Sequence, residues 1–118
     1  MTTKPPVNVE LSERFQKVVK RLLKKYKNIQ HDVQSLIDQL ENGATPGDRL
    51  QQVHHLVYKV RVKNSDVAKG KSGGYRVIYY VKTSDWVILI TIYSKTEQVD
   101  ICPDEIQQFI DKFEQSSD

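Results

Sequence analysis

Hydrophobic positions along this chain follow two spacings, and each change of spacing marks a new element. Val7, Val9 and Leu11 alternate with Asn8 and Glu10, the period of two that a strand requires. From Leu11 the spacing lengthens. Leu11, Phe15, Val18, Val19, Leu22, Leu23 and Tyr26 fall on one side of a helix, with Lys and Arg opposite. Ser12 stands where an N-cap is needed, its hydroxyl able to accept from a free backbone N–H. Lys24, Lys25 and Lys27 crowd the last turn, where cations meet the negative end of the helix dipole. After a break at Lys27-Asn28, Ile29, Val33, Leu36, Ile37 and Leu40 set out a second helix, closed by Asn42-Gly43 in the manner of a C-cap. So short a link makes the two an αα-hairpin.

Residues 44–55 read as a loop, with Pro46-Gly47 as its turn. The period then returns to two. Over residues 57–63, Tyr58, Val60 and Val62 fall on one face of a strand and Lys59, Arg61 and Lys63 on the other. Residues 64–74 form a long connection, expected to be mobile, and residues 75–81 a β-branched and aromatic strand. A turn at 82–85 leads to 86–93, a strand so apolar that it is expected to be central and covered on at least one face. Pro103 suits the first position of a last helix bearing Ile106, Phe109, Ile110 and Phe113 on one side. Short links between the later strands predict antiparallel pairing. The fold class is therefore α+β: an antiparallel sheet of about four strands packed on an N-terminal helical hairpin, with a C-terminal helix and the helices covering one face.

Composition narrows this picture. The 118 residues suit one domain with a real core, so residues 7–118 are expected as a single unit after a disordered tail at 1–6. The net charge of +3 is mild, but its distribution is not. Residues 59–76 hold six cations (Lys59, Arg61, Lys63, Lys69, Lys71 and Arg76) against one acid, Asp66, whereas the tail after Glu97 is acidic. Such asymmetry is the footprint of a polyanion binder. A single cysteine, Cys102, excludes an internal disulfide and suits a reducing cytosol. No apolar run approaches the roughly 18 residues of a membrane span, and the N-terminus lacks the apolar core of a signal peptide. A cytoplasmic protein with no membrane partner is expected.

Several chemistries lack their residues. The three histidines, His31, His54 and His55, form no HExxH, and neither CxxC nor a carboxylate pair is present, so no metal site is expected. His54 and His55 lie in a loop and are expected to meet solvent or cap the sheet. Cys102 has no histidine near it in sequence and is expected to be a small buried or semi-buried side chain. The run Lys69-Gly70-Lys71-Ser72-Gly73-Gly74 fails the spacing of a P-loop. Phosphodiester recognition, with or without cleavage, remains. If Lys59, Arg61 and Arg76 share a face, they come within reach of one phosphate, which arginine grips bidentately and lysine meets as a point charge. Such a cluster can cut RNA without histidine: a lysine takes the 2′-OH proton and arginines carry the phosphorane charge. It can equally dock on nucleic acid, or on an acidic protein segment, and do nothing more.

Three runs carry a resemblance. Tyr58-Lys59-Val60-Arg61-Val62, residues 69–80 (KGKSGGYRVIYY) and residues 88–97 (ILITIYSKTE) together resemble the toxins of the RelE/ParE superfamily, in particular its HigB-like and RelE-like branch, over most of the chain from about Val7. The resemblance implies a small α+β toxin of a type II toxin–antitoxin system. Such a toxin enters the ribosomal A site, cuts mRNA without a cofactor, and is neutralised by a cognate antitoxin. Carried over, Lys59 is the candidate general base, Arg61 and Arg76 bear transition-state charge, and Lys95 contacts phosphate or delivers a proton. Lys63, Lys69, Lys71 and Tyr93 are candidates for RNA contact. The chain departs from some relatives in having Val99, Asp100 and Ile101 where a C-terminal tyrosine would stand. A gyrase-inhibiting toxin like ParE needs no catalytic basic cluster, and a non-catalytic module binding RNA or antitoxin needs no cleavage; both remain alternatives.

Overall fold

The computed structural model describes residues 6–67, 74–95 and 101–116. Its elements are β1 (Asn8–Leu11), α1 (Glu13–Leu23), α2 (Ile29–Glu41), β2 (Asp48–Arg49), β3 (Val57–Val62), β4 (Tyr75–Thr83), β5 (Trp86–Ser94) and α3 (Pro103–Ser116). They build a five-stranded sheet in the order β1-β5-β4-β3-β2. The last four are antiparallel neighbours, while β1 runs parallel to β5 along the sheet's other edge. Two residues of the expected loop, Asp48 and Arg49, form β2 against Lys59 and Tyr58.

The helices divide between the two faces, correcting the expectation that they share one. Val60, Val62, Tyr75, Val77, Tyr79, Leu89 and Ile92 pack with Phe15, Leu22, Ile29, Val33, Leu36 and Leu40 of the α1–α2 hairpin. Val57, Ile78, Tyr80, Ile88, Ile90 and Tyr93 form a second core with Ile101, Ile106 and Ile110 at α3. The cause lies in β5, which is apolar on both sides and exposes costly surface unless both are covered.

A β-bulge changes the phase of β5. Ile78 pairs with Thr91 but Tyr79 with Leu89, so Ile90 is the extra residue. Strict alternation from Ile88 would put Tyr93 against the hairpin. The bulge instead turns Tyr93 to the α3 face, beside Arg76. Ser12 stabilises this irregularity. Its Oγ accepts from the Phe15 N–H at 3.0 Å, capping α1 as expected, and donates to the Ile90 carbonyl at 2.8 Å. One hydroxyl thus serves both a helix end and the bulge. Ser12→Ala is expected to cost about 1–2 kcal/mol, the upper range for an N-cap, because a second group is orphaned with it. Urea unfolding measures this; a loss below about 0.5 kcal/mol would mean water replaces both bonds.

The helix ends follow local chemistry. Gly43, at φ +93°, lets its N–H reach the Leu40 carbonyl while the Ala44 N–H reaches that of Gln39, a Schellman ending for α2. Along α1, Lys17, Lys20, Arg21 and Lys24 stand at i, i+3, i+4 and i+7 on one exposed stripe. Each like-charged pair at these spacings costs about 0.2–0.5 kcal/mol, so α1 is held by burial of Phe15 and Leu22 rather than by its surface. On the other side of the sheet, Lys82 Nζ lies 2.6 Å from Glu114 Oε2 and 5.0 Å from the centre of the Trp86 ring, fastening α3.

Candidate functional site

The site grows from register. Arg61 on β3 stands directly opposite Arg76 on β4, and Arg76 opposite Tyr93 on β5. Directly opposed residues share a face, with Cβ atoms about 4.5–5.5 Å apart. Lys59, two residues before Arg61, lies on that face too, opposite Ile78 on one side and Asp48 on the other. Lys59, Arg61 and Arg76 therefore converge, on the α3 side of the sheet but outside the apolar cluster that α3 covers. Arg61 is exposed, and Lys59 and Arg76 are half-buried.

Two arginines face to face are unfavourable unless an anion lies between them. Among the described residues Arg61 has no ion-pair partner, and the Arg76 guanidinium meets only a carbonyl, that of Tyr75 at 3.3 Å. Gly74 makes room for them. A Cβ there would stand 3.6 Å from both Arg61 Cγ and Arg76 Nη1, and only 2.9 Å from the Val62 carbonyl oxygen. The backbone of Lys95 arrives at the same place, its N–H donating to the Gly74 carbonyl at 3.1 Å.

The connection after β3, expected to be mobile, is tied down over its described part. Asp66 accepts from the backbone N–H of Asn28 at 2.8 Å and from its amide at 3.2 Å, at the start of α2. Asp32 accepts from the Ser65 N–H and hydroxyl at 2.9 and 3.1 Å. These carboxylates hold the exit of β3, and with it Arg61, against α2. Neither signal is visible as a motif, because the partners lie 38 and 33 residues apart.

The other candidates fare unequally. Lys63 is exposed just beyond β3, and Tyr93 is buried in the core near Ile101, beside Arg76. Lys69 and Lys71 lie outside the described residues, as do Val99 and Asp100, while Ile101 is buried. Cys102 is exposed, not buried, since Pro103 starts α3 just beyond it and α3 turns Ile106 and Ile110 inward instead. His54 is exposed, whereas His55 rests edge-on against Tyr80 with ring centres 5.4 Å apart, a cap on the second core. Tyr75, next to Arg76, points into the hairpin core, where burial and then Asp32 push its phenol well above the ordinary value. Its side chain thus lies on the hairpin side of the sheet, away from the basic cluster. No three histidine, cysteine or carboxylate side chains among the described residues are grouped to hold a metal. Nor is any described helix long and apolar enough to cross a membrane.

A helical hairpin and a C-terminal helix on opposite faces of a mostly antiparallel sheet, with a basic cluster at one end, define a small α+β protein with a concentrated positive surface. The sequence model of the RelE toxin of the RelE/RelB toxin–antitoxin system matches residues 13–115, and the chain belongs to that family. It is a RelE-family toxin of a toxin–antitoxin system, and an antitoxin is its partner. Among solved structures it resembles the free state of an E. coli RelE toxin carrying two arginine-to-alanine substitutions. The TM-score is 0.52 and the identity 19%, over 80% of this chain and 88% of that one, a likeness of fold. Comparison with curated proteins gives no match.

Proposed function

We propose that this toxin is a ribosome-dependent mRNA endonuclease of the HigB-like, RelE-like branch, acting in the cytoplasm without metal or cofactor and stopping translation. The observation that carries this reading is the Arg61–Arg76 pair, opposed across β3 and β4 with no carboxylate partner among the described residues. A scissile phosphate between the two guanidinium groups would resolve their repulsion. In the reaction Lys59 takes the proton of the 2′-OH, and the freed oxygen attacks the adjacent phosphorus. Arg61 and Arg76 carry the extra negative charge of the phosphorane. The P–O5′ bond then breaks, leaving a 2′,3′-cyclic phosphate, and the departing oxygen takes a proton delivered from the Lys95 side. Lys63, Lys69 and Lys71 extend the RNA contact, whereas Tyr93, expected to join them, is buried in the second core and backs Arg76 instead. A toxin of the ParE kind, directed at gyrase, would gain nothing from keeping two unpaired arginines opposed.

Inducible expression with and without Arg76→Ala tests the reading. Growth arrest with mRNA cut on translating ribosomes, both abolished by Arg76→Ala, is the expected result. Arrest with intact mRNA and damaged DNA would replace it with the gyrase reading. No arrest from either chain would leave a binding module without nuclease activity.

A further inference from the structure

The outer edge of β3 is covered for only part of its length. β2 pairs with Tyr58 and Lys59 and then stops. Continued in that register, Pro46 would stand opposite Arg61, and proline has no N–H to give. The Pro46 carbonyl is taken as well, by the hydroxyl of Tyr79 in the hairpin core. Backbone groups along a strand face alternate sides. The Val57 carbonyl accepts from Leu50 on the β2 side at 2.8 Å, and that of Leu56 from Val81 on the β4 side at 2.8 Å. Counting in twos from Val57, Arg61 turns its N–H and C=O outward. Among the described residues neither group finds a partner there.

A cleft of about 390 Å³ opens at this edge. Val60 and Val62 form its floor, Arg61 and Lys63 its rim, and α2 gives a wall on which His31 and Ser35 are exposed. Its one carboxylate, Asp32, is engaged by the Ser65 N–H and hydroxyl.

We infer that this cleft is a nucleobase subsite, which seats one unstacked base of the RNA whose phosphate Arg61 and Arg76 hold. That the base belongs to RNA rests on the nuclease reading; that a base is what fits rests on the cleft's own chemistry. Arg61 offers one donor and one acceptor side by side, the complement of a Watson–Crick edge. Strand addition by a peptide needs a run of such groups, and β3 ends at Val62. The valines give an apolar surface for the flat face of a base, and His31 gives a ring that can stack on it. The volume falls within the range of sites that hold small ligands. Arg61 joins the two places, its side chain opposite Arg76 and its backbone at the cleft. A base seated here is therefore held by the same residue that meets the phosphate.

The test uses the full chain carrying Arg76→Ala, so that expression is tolerated, labelled for NMR and titrated with the four nucleoside 5′-monophosphates. Ribose 5-phosphate, which keeps the phosphate and lacks the base, is the control. The Arg61 amide and His31 ring signals are expected to move with at least one nucleotide and to stay still with ribose 5-phosphate. Ser35→Trp, which fills the cleft from an exposed helix position, and His31→Ala, which removes the stacking ring, should each weaken that nucleotide by about tenfold or more. If Ser35→Trp lowers the melting temperature, His31→Ala decides. Equal shifts with ribose 5-phosphate would reduce the cleft to a phosphate contact and overturn the inference. So would affinity unchanged in both variants, or an Arg61 amide moved by an extended acidic peptide and by no nucleotide, which would assign the open edge to a protein strand. Cleavage by the wild-type chain is read separately on ribosomes. Nucleotide binding without cleavage would remove the nuclease reading and keep the subsite, whereas cleavage by a chain that binds no nucleotide would remove the subsite alone.

Discussion

Replacing Arg61 or Arg76 by alanine is expected to lower mRNA cleavage on programmed ribosomes by about 10²–10³-fold, the cost of removing one donor from a developing phosphorane. The two losses should not multiply, since a pair clamping one phosphate acts as a unit. Arg76→Lys should fall between, because it keeps the charge and loses the fork. Stability should move the other way. Like charges directly opposed across strands are destabilising, so either single substitution should leave the melting temperature unchanged or raise it. Single-turnover cleavage beside thermal unfolding measures both effects. Cleavage retained within about threefold for both variants would remove the pair from the scissile phosphate. Lost cleavage together with lost stability would mark it as structural.

Much of this site was legible because a strand has a period of two. Alternation alone put Lys59, Arg61 and Lys63 on one face, and the short turn after β4 made β4 and β5 antiparallel neighbours. Three things stayed hidden, each set by residues far apart in sequence. The bulge at Ile90 has no local signature, and it alone decides that Tyr93 stands beside Arg76. The assignment of α3 to the face opposite the hairpin depends on β5 being apolar on both sides, which a sequence shows but which does not say what covers each side. Asp48, in register with Lys59, sits in a two-residue strand too short for periodicity to detect. The Asp66 and Asp32 clasp was missed for another reason: an acid in a polar linker looks solvated until its partner helix is placed. Each omission concerns pairing across the fold, where local propensity is silent.

The segment that carries Asp48 to Lys59 supplies the largest expected stability effect. Gly47 has φ +98°, and a Cβ there would fall 2.4 Å from the Lys59 carbonyl oxygen and 2.9 Å from Val60 Cα. Both contacts are backbone of β3, so neither can yield as a flexible side chain would. Gly47→Ala combines positive-φ strain of about 1–3 kcal/mol with overpacking of similar size, for a loss of roughly 2–5 kcal/mol. Gly43→Ala is the control. Its φ is +93° but nothing lies within 4 Å of the added methyl, so only the strain term, about 1 kcal/mol, should appear. The neighbouring Pro46 carbonyl accepts from the Tyr79 hydroxyl, so displacing Gly47 also frees a buried tyrosine. The consequence reaches the site, because β2 is the strand that covers the outer edge of β3 at Lys59, on the side away from β4. Hydrogen exchange should show the Lys59 and Leu50 amides losing protection in Gly47→Ala well before those of β5, and urea midpoints should rank wild type, Gly43→Ala, then Gly47→Ala. Equal losses for the two glycines would mean that conformation alone matters and that the 44–49 segment does not brace β3.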